Sequence, residues 1–340
     1  MTVTIIGTTG NDSILGPATD GSITGNSGDD TIVASTGNVT VNGNAGNDSI
    51  HGGSASNFLQ GGQGNDTITG GSGFNTIYGN AGNDSLVAGN NGDFLHGGAG
   101  DDTIQGGAGR DTIHGGQGND SITGGSGNAL IYGDLGSDTI VGGAGQNTIY
   151  GGAGGGSITG GSGSDLIIGG VGGTTIHAGG GFDTITGGAG NDSIVGGKVG
   201  DSIKGGPGND TLVGGLGNDT IFAGMGNDSI AAGSGNDSLS GGIGNNTLEA
   251  GAGSDTMMCG GSGKNVYVFD KTLTPDGVND VISDFVVGAD KIRLLHFTNG
   301  PEIVTDASTG NAVIIMGNGL HITLTGVSAS SLSNNDFLFV

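Results

Sequence analysis

The chain has 340 residues, 84 of them Gly and none Trp, with 4% aromatics and a formal net charge of -25. Such a composition excludes an ordinary close-packed globular domain of this length, and 7 Lys and Arg against 32 Asp and Glu exclude a nucleic-acid binder, because a polyphosphate would be repelled. Collagen is excluded as well, since only 4 prolines are present and the glycines follow a nine-residue period.

In chain order, the opening segment MTVTIIGTTGNDS has neither the basic region nor the apolar core of a signal peptide. No later stretch is long and apolar enough to span a membrane. From Gly7 to Met258 a nine-residue pattern then repeats 28 times without insertion or deletion. GGQGNDTIT, from Gly61 to Thr69, shows its slots: Gly, Gly, any residue, Gly, a polar residue, Asp66, a hydroxyl residue, the apolar Ile68 and a variable residue. The apolar slot is Ile 20 times, Leu 6 times, and once each Val41 and Met257. Nothing in a disordered linker would select a β-branched residue at a fixed position, so this column excludes disorder.

The slots read as a glycine-rich turn followed by a strand of three residues. Such a strand turns only its middle side chain inward, so consecutive strands lie on opposite walls of a flattened coil made of two units, 18 residues. The 28 units then give 14 coils. This core is thin, and burying it does not offset the ordering of a glycine-rich backbone. Something else has to hold the turns.

The sixth slot points to what that is. Its residues stack about 4.8 Å apart along each edge of the coil. Carboxylates that close repel by roughly 1 kcal/mol in water and about 3–4 kcal/mol at an effective dielectric near 20, so a ladder of them is expected not to close without cations. Ca²⁺ suits such turns, because it takes carboxylate and carbonyl oxygens in loose geometry. Glycines in the first, second and fourth slots are expected to supply positive φ, with Asn26, Asn44 and Asn80 as the tolerated substitutes in the second.

These units resemble the RTX nonapeptide GGxGxDxUx of haemolysin-type calcium-binding proteins. The resemblance implies an all-β fold, a right-handed parallel β-roll (β-helix) solenoid of about 14 coils, with one Ca²⁺ between successive turns of an edge, ligated by the sixth-slot Asp and by turn carbonyls. On the first edge the matching residues are Asp12, Asp30, Asp48, Asp66, Asp84, Asp102, Asp120 and Asp138, then, after Gly156 and Thr174, Asp192, Asp210 and Asp228, ending at Asn246. The second edge opens with Gly21, Val39, Asn57 and Asn75, continues with Asp93 and Asp111, is broken at Ala129 and Asn147, and ends with Asp165, Asp183, Asp201, Asp219, Asp237 and Asp255. Fifteen same-edge neighbours carry Asp on both rungs, which predicts about 15 Ca²⁺ ions, one line in the amino-terminal half and two from about Asp183 to Asp237. Asn91 and Val199 replace the fourth-slot Gly in the turns of Asp93 and Asp201 and weaken the expectation there.

A longer period lies inside the shorter one. The seventh slot alternates Ser and Thr along the first edge, so the true unit repeats every 36 residues. On the wall after the second edge the same slot gives Phe58, Phe94, Leu130 and Leu166, beside Gln60, Tyr78, His96, His114, Tyr132, Tyr150 and Ile168. This outward stripe is either exposed apolar surface with cross-strand stacking or a face for self-association.

The sequence divides into residues 1–264, the calcium-binding roll, and residues 265–340, where glycine thins out. There NVYVFD, NDVISDF, GADKIRL, NAVIIMGNGLHITLTGV and NNDFLFV read as strands. The tail resembles the cap of RTX proteins, which covers the open end of the roll, and its last residues resemble the uncleaved signal for the type I secretion machinery. Asp280, Asp284 and Asp290 read as solvated strand-end carboxylates, with a further metal site as the alternative. Cys259 is the single cysteine, so no disulfide framework exists.

Catalysis finds no motif: HExxH, GxSxG and a P-loop are absent, and the histidines (His51, His96, His114, His177, His296, His321) are scattered, with only His96 and His114 expected as neighbours. The expected protein is secreted, extracellular or attached to the cell surface, and non-enzymatic. It folds on Ca²⁺ and has a structural or interaction role. Alternatives are a calcium-dependent adhesin or ice-binding roll, which would need a Thr column where Ser27, Ala45, Gln63 and Leu135 stand, and a membrane-active RTX protein, which would need an inserting segment.

Overall fold

The computed structural model describes residues 3–260, 263–274 and 277–340. Its contacts gather into two compact units, Met1–Val171 and Gly172–Val340. The change of composition near Asn265 falls inside the second. Each is a parallel β-solenoid, together about 15 turns, with no α-helix among the described residues.

In the first unit, strands alternate between two walls. The first wall holds Ser13–Leu15, Thr31–Val33, Ser49–His51 and Thr67–Gly71, and the second Gly21–Ser27, Val39–Ala45, Phe58–Gln63 and Thr76–Ala81, continuing in the same alternation. Each strand pairs in parallel with the strand one coil on, so Ile68 meets Leu86 and Leu59 meets Ile77 across the ladder. The apolar slot faces inward along both walls, fully buried from Ile23 onwards.

Most of the strands are longer than the three residues that Ser13–Leu15 and Ser49–His51 keep. Phe58–Gln63 runs through the first three turn slots, and its ladder continues as Gly62 with Asn80 and Gln63 with Ala81. The first turn slot is therefore a second inward position, as buried Ala34 and Ala88 show. This corrects the expected role of its glycine. Gly62 and Gly64, in the second and fourth slots, have φ +125° and +119°, and Asn26, Asn44 and Asn80 take 79–84° in the second, but no first-slot glycine has positive φ. What the first slot requires is space. A Cβ built on Gly61 would collide with Oδ2 of Asp66.

In the second unit the same coils run from Thr174–Gly179 to Thr256–Met258. The tail then continues the ladders rather than only covering them. On one wall Thr247–Glu249, Val266–Asp270, Lys291–Leu295 and Phe337–Phe339 pair in parallel. On the other Thr256–Met258 pairs with Asn279–Ile282, which pairs with His321–Leu324. Among the described residues antiparallel pairing appears only here, with Ala312–Ile315 between His321–Leu324 and Glu302–Thr305, a strand the sequence did not reveal. Tyr267 and Phe269 are fully buried and fill the interior where the single-Ile pattern stops.

Candidate metal centres along the turns

The sixth-slot Asp side chains turn inward and divide their two oxygens between two tasks. Oδ1 accepts the backbone N–H of the sixth-slot residue one coil earlier. Along the first edge of the first unit this runs from the N–H of Asp12 onto Asp30 to that of Asp120 onto Asp138, at 2.7–2.9 Å throughout. Along the second edge of the second unit it runs from Asp183 onto Asp201, Asp219, Asp237 and Asp255 at 2.6–2.8 Å. A backbone donor thus sits between the rungs and takes one oxygen of each.

In most of these Asp residues Oδ2 has no such partner. In Asp30, Asp48, Asp66, Asp84, Asp93, Asp102, Asp111, Asp120, Asp138, Asp192, Asp201, Asp210, Asp219, Asp228, Asp237 and Asp255 it is buried and accepts no hydrogen bond. Asp165 and Asp183 are equally buried, at 3% and 2% exposure. Asp12 is different, being half-buried with Oδ2 bonded to the N–H and hydroxyl of Thr8. Asp93 and Asp201, whose turns lack the fourth-slot Gly, keep their places in the ladder, donating to Asp111 and Asp219.

The Asn turns reveal what surrounds that second oxygen. Nδ2 of Asn57 donates to the carbonyls of Gly52 and Ala55, at 2.7 and 2.8 Å. Nδ2 of Asn75 and Asn147 likewise donates to Gly73 and Gly145. An amide there satisfies turn carbonyls, whereas a carboxylate only adds another acceptor. In the Asp turns whose first slot is Gly, the space left by the missing Cβ is bordered by Oδ2 and by the first-slot carbonyl of the next coil, as at Gly97 with Asp102 and Gly115, and at Gly205 with Asp210 and Ala223. A carboxylate oxygen without a donor and a backbone carbonyl therefore border one space, and a hard cation fits it. Among the described residues no three His, Cys, Asp or Glu side chains meet at one point, so a cation there would need backbone carbonyls beside the carboxylates.

Burial, opposed by the N–H bond to Oδ1 and reinforced by neighbouring Asp charges, pushes Asp66, Asp102, Asp219 and Asp255 up to about 7. Asp84, Asp93, Asp138 and Asp210 rise to about 6, again mainly through burial. No side-chain cation offsets this charge: the described ion pairs are His114 with Asp134 and His296 with Asp270.

One functional column was missed in the sequence. The fifth-slot side chain accepts the N–H of the fifth-slot residue one coil later, from Asn11 through Asp29, Asn47, Asn65, Asn83 and Asp101 to Asn119, at 2.7–2.9 Å. It runs opposite to the sixth-slot ladder. The recurrence of Asn before the Asp was its signal. The tail carboxylates also differ from expectation: Asp280 and Asp290 are 0% and 1% exposed, not solvated, and Asp284 accepts from the Cys259 N–H and the Tyr267 hydroxyl.

The stripe on the second wall is a ladder of rings. Phe58, Tyr78 and Phe94 follow at 5.6 Å between centroids, and His114, Tyr132 and Tyr150 stack nearly parallel at 4.5 and 5.0 Å. His96 and His114 are cross-strand neighbours, as expected.

The RTX calcium-binding nonapeptide repeat family matches residues 24–266 in overlapping blocks, well over half of the chain. The chain belongs to that family. It is a calcium-binding RTX β-roll protein. No curated protein matches it. Among solved structures, the RTX chain is similar to the AlgE6R3 subunit of the Azotobacter vinelandii mannuronan C5-epimerase, at 23% identity over 36% of this chain and 78% of that one, with a TM-score of 0.31. It is also similar to the extracellular lipase LipA of Serratia marcescens, at 16% identity over 49% of this chain and 40% of that one, with a TM-score of 0.22.

Proposed function

We propose that this RTX protein is exported, stays unfolded where calcium is scarce, and folds outside the cell into a non-enzymatic roll with a structural or interaction role. One observation carries the reading: a buried carboxylate oxygen without a partner recurs in register along both edges. Burying such charge without compensation is costly, so calcium binding and folding become one equilibrium. Extracellular modules bind calcium at about 10⁻⁴–10⁻³ M, a range the cytosol does not supply. Fifteen Asp–Asp rungs set the expected load at about 15 ions. Export by the type I machinery fits the tail's resemblance to that signal, and no described helix is long and apolar enough to cross a membrane.

Circular dichroism in EDTA and after calcium addition tests the coupling. A chain fully folded in EDTA at neutral pH would end this reading. Calcium counted by elemental analysis tests the load.

A second reading concerns self-association. Phe58 and Leu166 are 37% and 38% exposed at either end of the ring ladder, which leaves an apolar face where two copies would meet. Replacing Phe58 and Phe94 by Ser should then reduce the mass seen by light scattering in calcium. An unchanged mass would assign the rings to stacking alone.

A further inference from the structure

Both edge ladders continue past the nonapeptide repeats into the tail, and they end differently. On the second edge Asp280 follows Asp255 by 25 residues instead of 18, yet occupies the sixth-slot position of one more coil. The N–H of Asp255 donates to Oδ1 of Asp280 at 2.8 Å, and the N–H of Val281 donates to the Asp255 carbonyl at 2.8 Å, as that of Thr256 does to Asp237. Asp280 is 0% exposed, and its Oδ2, like that of Asp255, is buried without a hydrogen-bond partner.

On the first edge the corresponding residues are Asn246, Asn265 and Asp290. There Nδ2 of Asn265 donates to Oδ1 of Asp290 at 3.1 Å, and the N–H of Val286 donates to its Oδ2 at 2.9 Å. Both oxygens of Asp290 are engaged, and two of the three rungs are neutral amides. One edge is therefore closed by the protein alone. The other reaches the tail with two facing, buried carboxylates and nothing to neutralise them.

We propose that Asp280 and Asp255 form a calcium site of their own, outside the nonapeptide repeats, which clamps the tail onto the last coil of the roll. This rests on the calcium reading of the repeats. Asp280 stands on the strand Asn279–Ile282, which carries His321–Leu324 and through it the antiparallel strands Ala312–Ile315 and Glu302–Thr305. The clamp thus holds the tail sheet at its root.

The test compares full-length wild type with Asp280→Asn, Asp290→Asn and Asp219→Asn. Asn already fills the equivalent slot of the first-edge ladder at Asn246 and Asn265, so Asp280→Asn fits the fold. In saturating calcium, Asp280→Asn is expected to lose one bound ion. Amide exchange across 279–282 and 321–324 should accelerate at least about tenfold while the repeats keep their protection. Asp290→Asn, whose oxygens are already engaged, should keep the wild-type ion count. If Asp280→Asn keeps the wild-type ion count and exchange while Asp219→Asn loses calcium, the tail site is wrong and the repeat reading stands. If the wild type takes up no calcium, the repeat reading itself fails.

Discussion

At the sixth slot, Asn and Asp have the same shape and opposite consequences. Asn57 meets the turn carbonyls with a donor, while Asp66 meets its turn with an acceptor that has no partner. Replacing Asp66 by Asn should therefore do two things at once. It removes calcium from that rung, and it stabilises the metal-free roll by about 1–3 kcal/mol, the usual cost of an unsatisfied buried polar group. Calcium titration reads the first effect, and the strength of the β signal in EDTA reads the second. A signal weaker than wild type in EDTA would mean that Oδ2 is satisfied in some other way. The role of the first-slot glycine was beyond the sequence, because GGxG marks a turn without saying which glycine bends it. Only the position of the Asp66 carboxylate against Gly61 separates bending from space.

Each ladder is a row of coupled carboxyls, and acid should act on the row. Asp66, raised from 3.8 to about 7 by burial, binds its proton more tightly in the roll than in the unfolded chain. Its contribution to metal-free stability is present below about pH 4 and is lost as pH rises towards 7. In EDTA the β signal in circular dichroism should thus be stronger near pH 5 than near pH 8, with calcium reversing the order because protons compete for the same oxygens. A signal in EDTA that is independent of pH would contradict the burial of these groups. The two-wall architecture, the inward Ile column and the Asp ladder were all legible, since each is a strict period. The fifth-slot ladder was not. Its Asn and Asp are ordinary turn residues one by one, and only the 18-residue register turns Asn47 and Asn65 into a chain of acceptors.

For the whole molecule, a charge of -25 and many unpartnered oxygens make the identity of the cation matter. Mg²⁺ demands near-octahedral geometry and gives up its waters reluctantly. An excess of it should therefore leave the EDTA-treated chain without the β signal that calcium restores, as circular dichroism would show. Full recovery in Mg²⁺ would reduce the ion's role to screening. The tail was the least legible part. Its strands could be read from alternation, but the spacing from Asp255 to Asp280 stretches to 25 residues, and a period search stops where the period does.

The neutral rungs have a final consequence. Asn57 and Asn75 in the first unit, and Asn246 and Asn265 in the second, fasten neighbouring coils without any ion. Each unit is a mosaic of permanent and conditional fasteners. As calcium is withdrawn the conditional ones should release before the permanent ones.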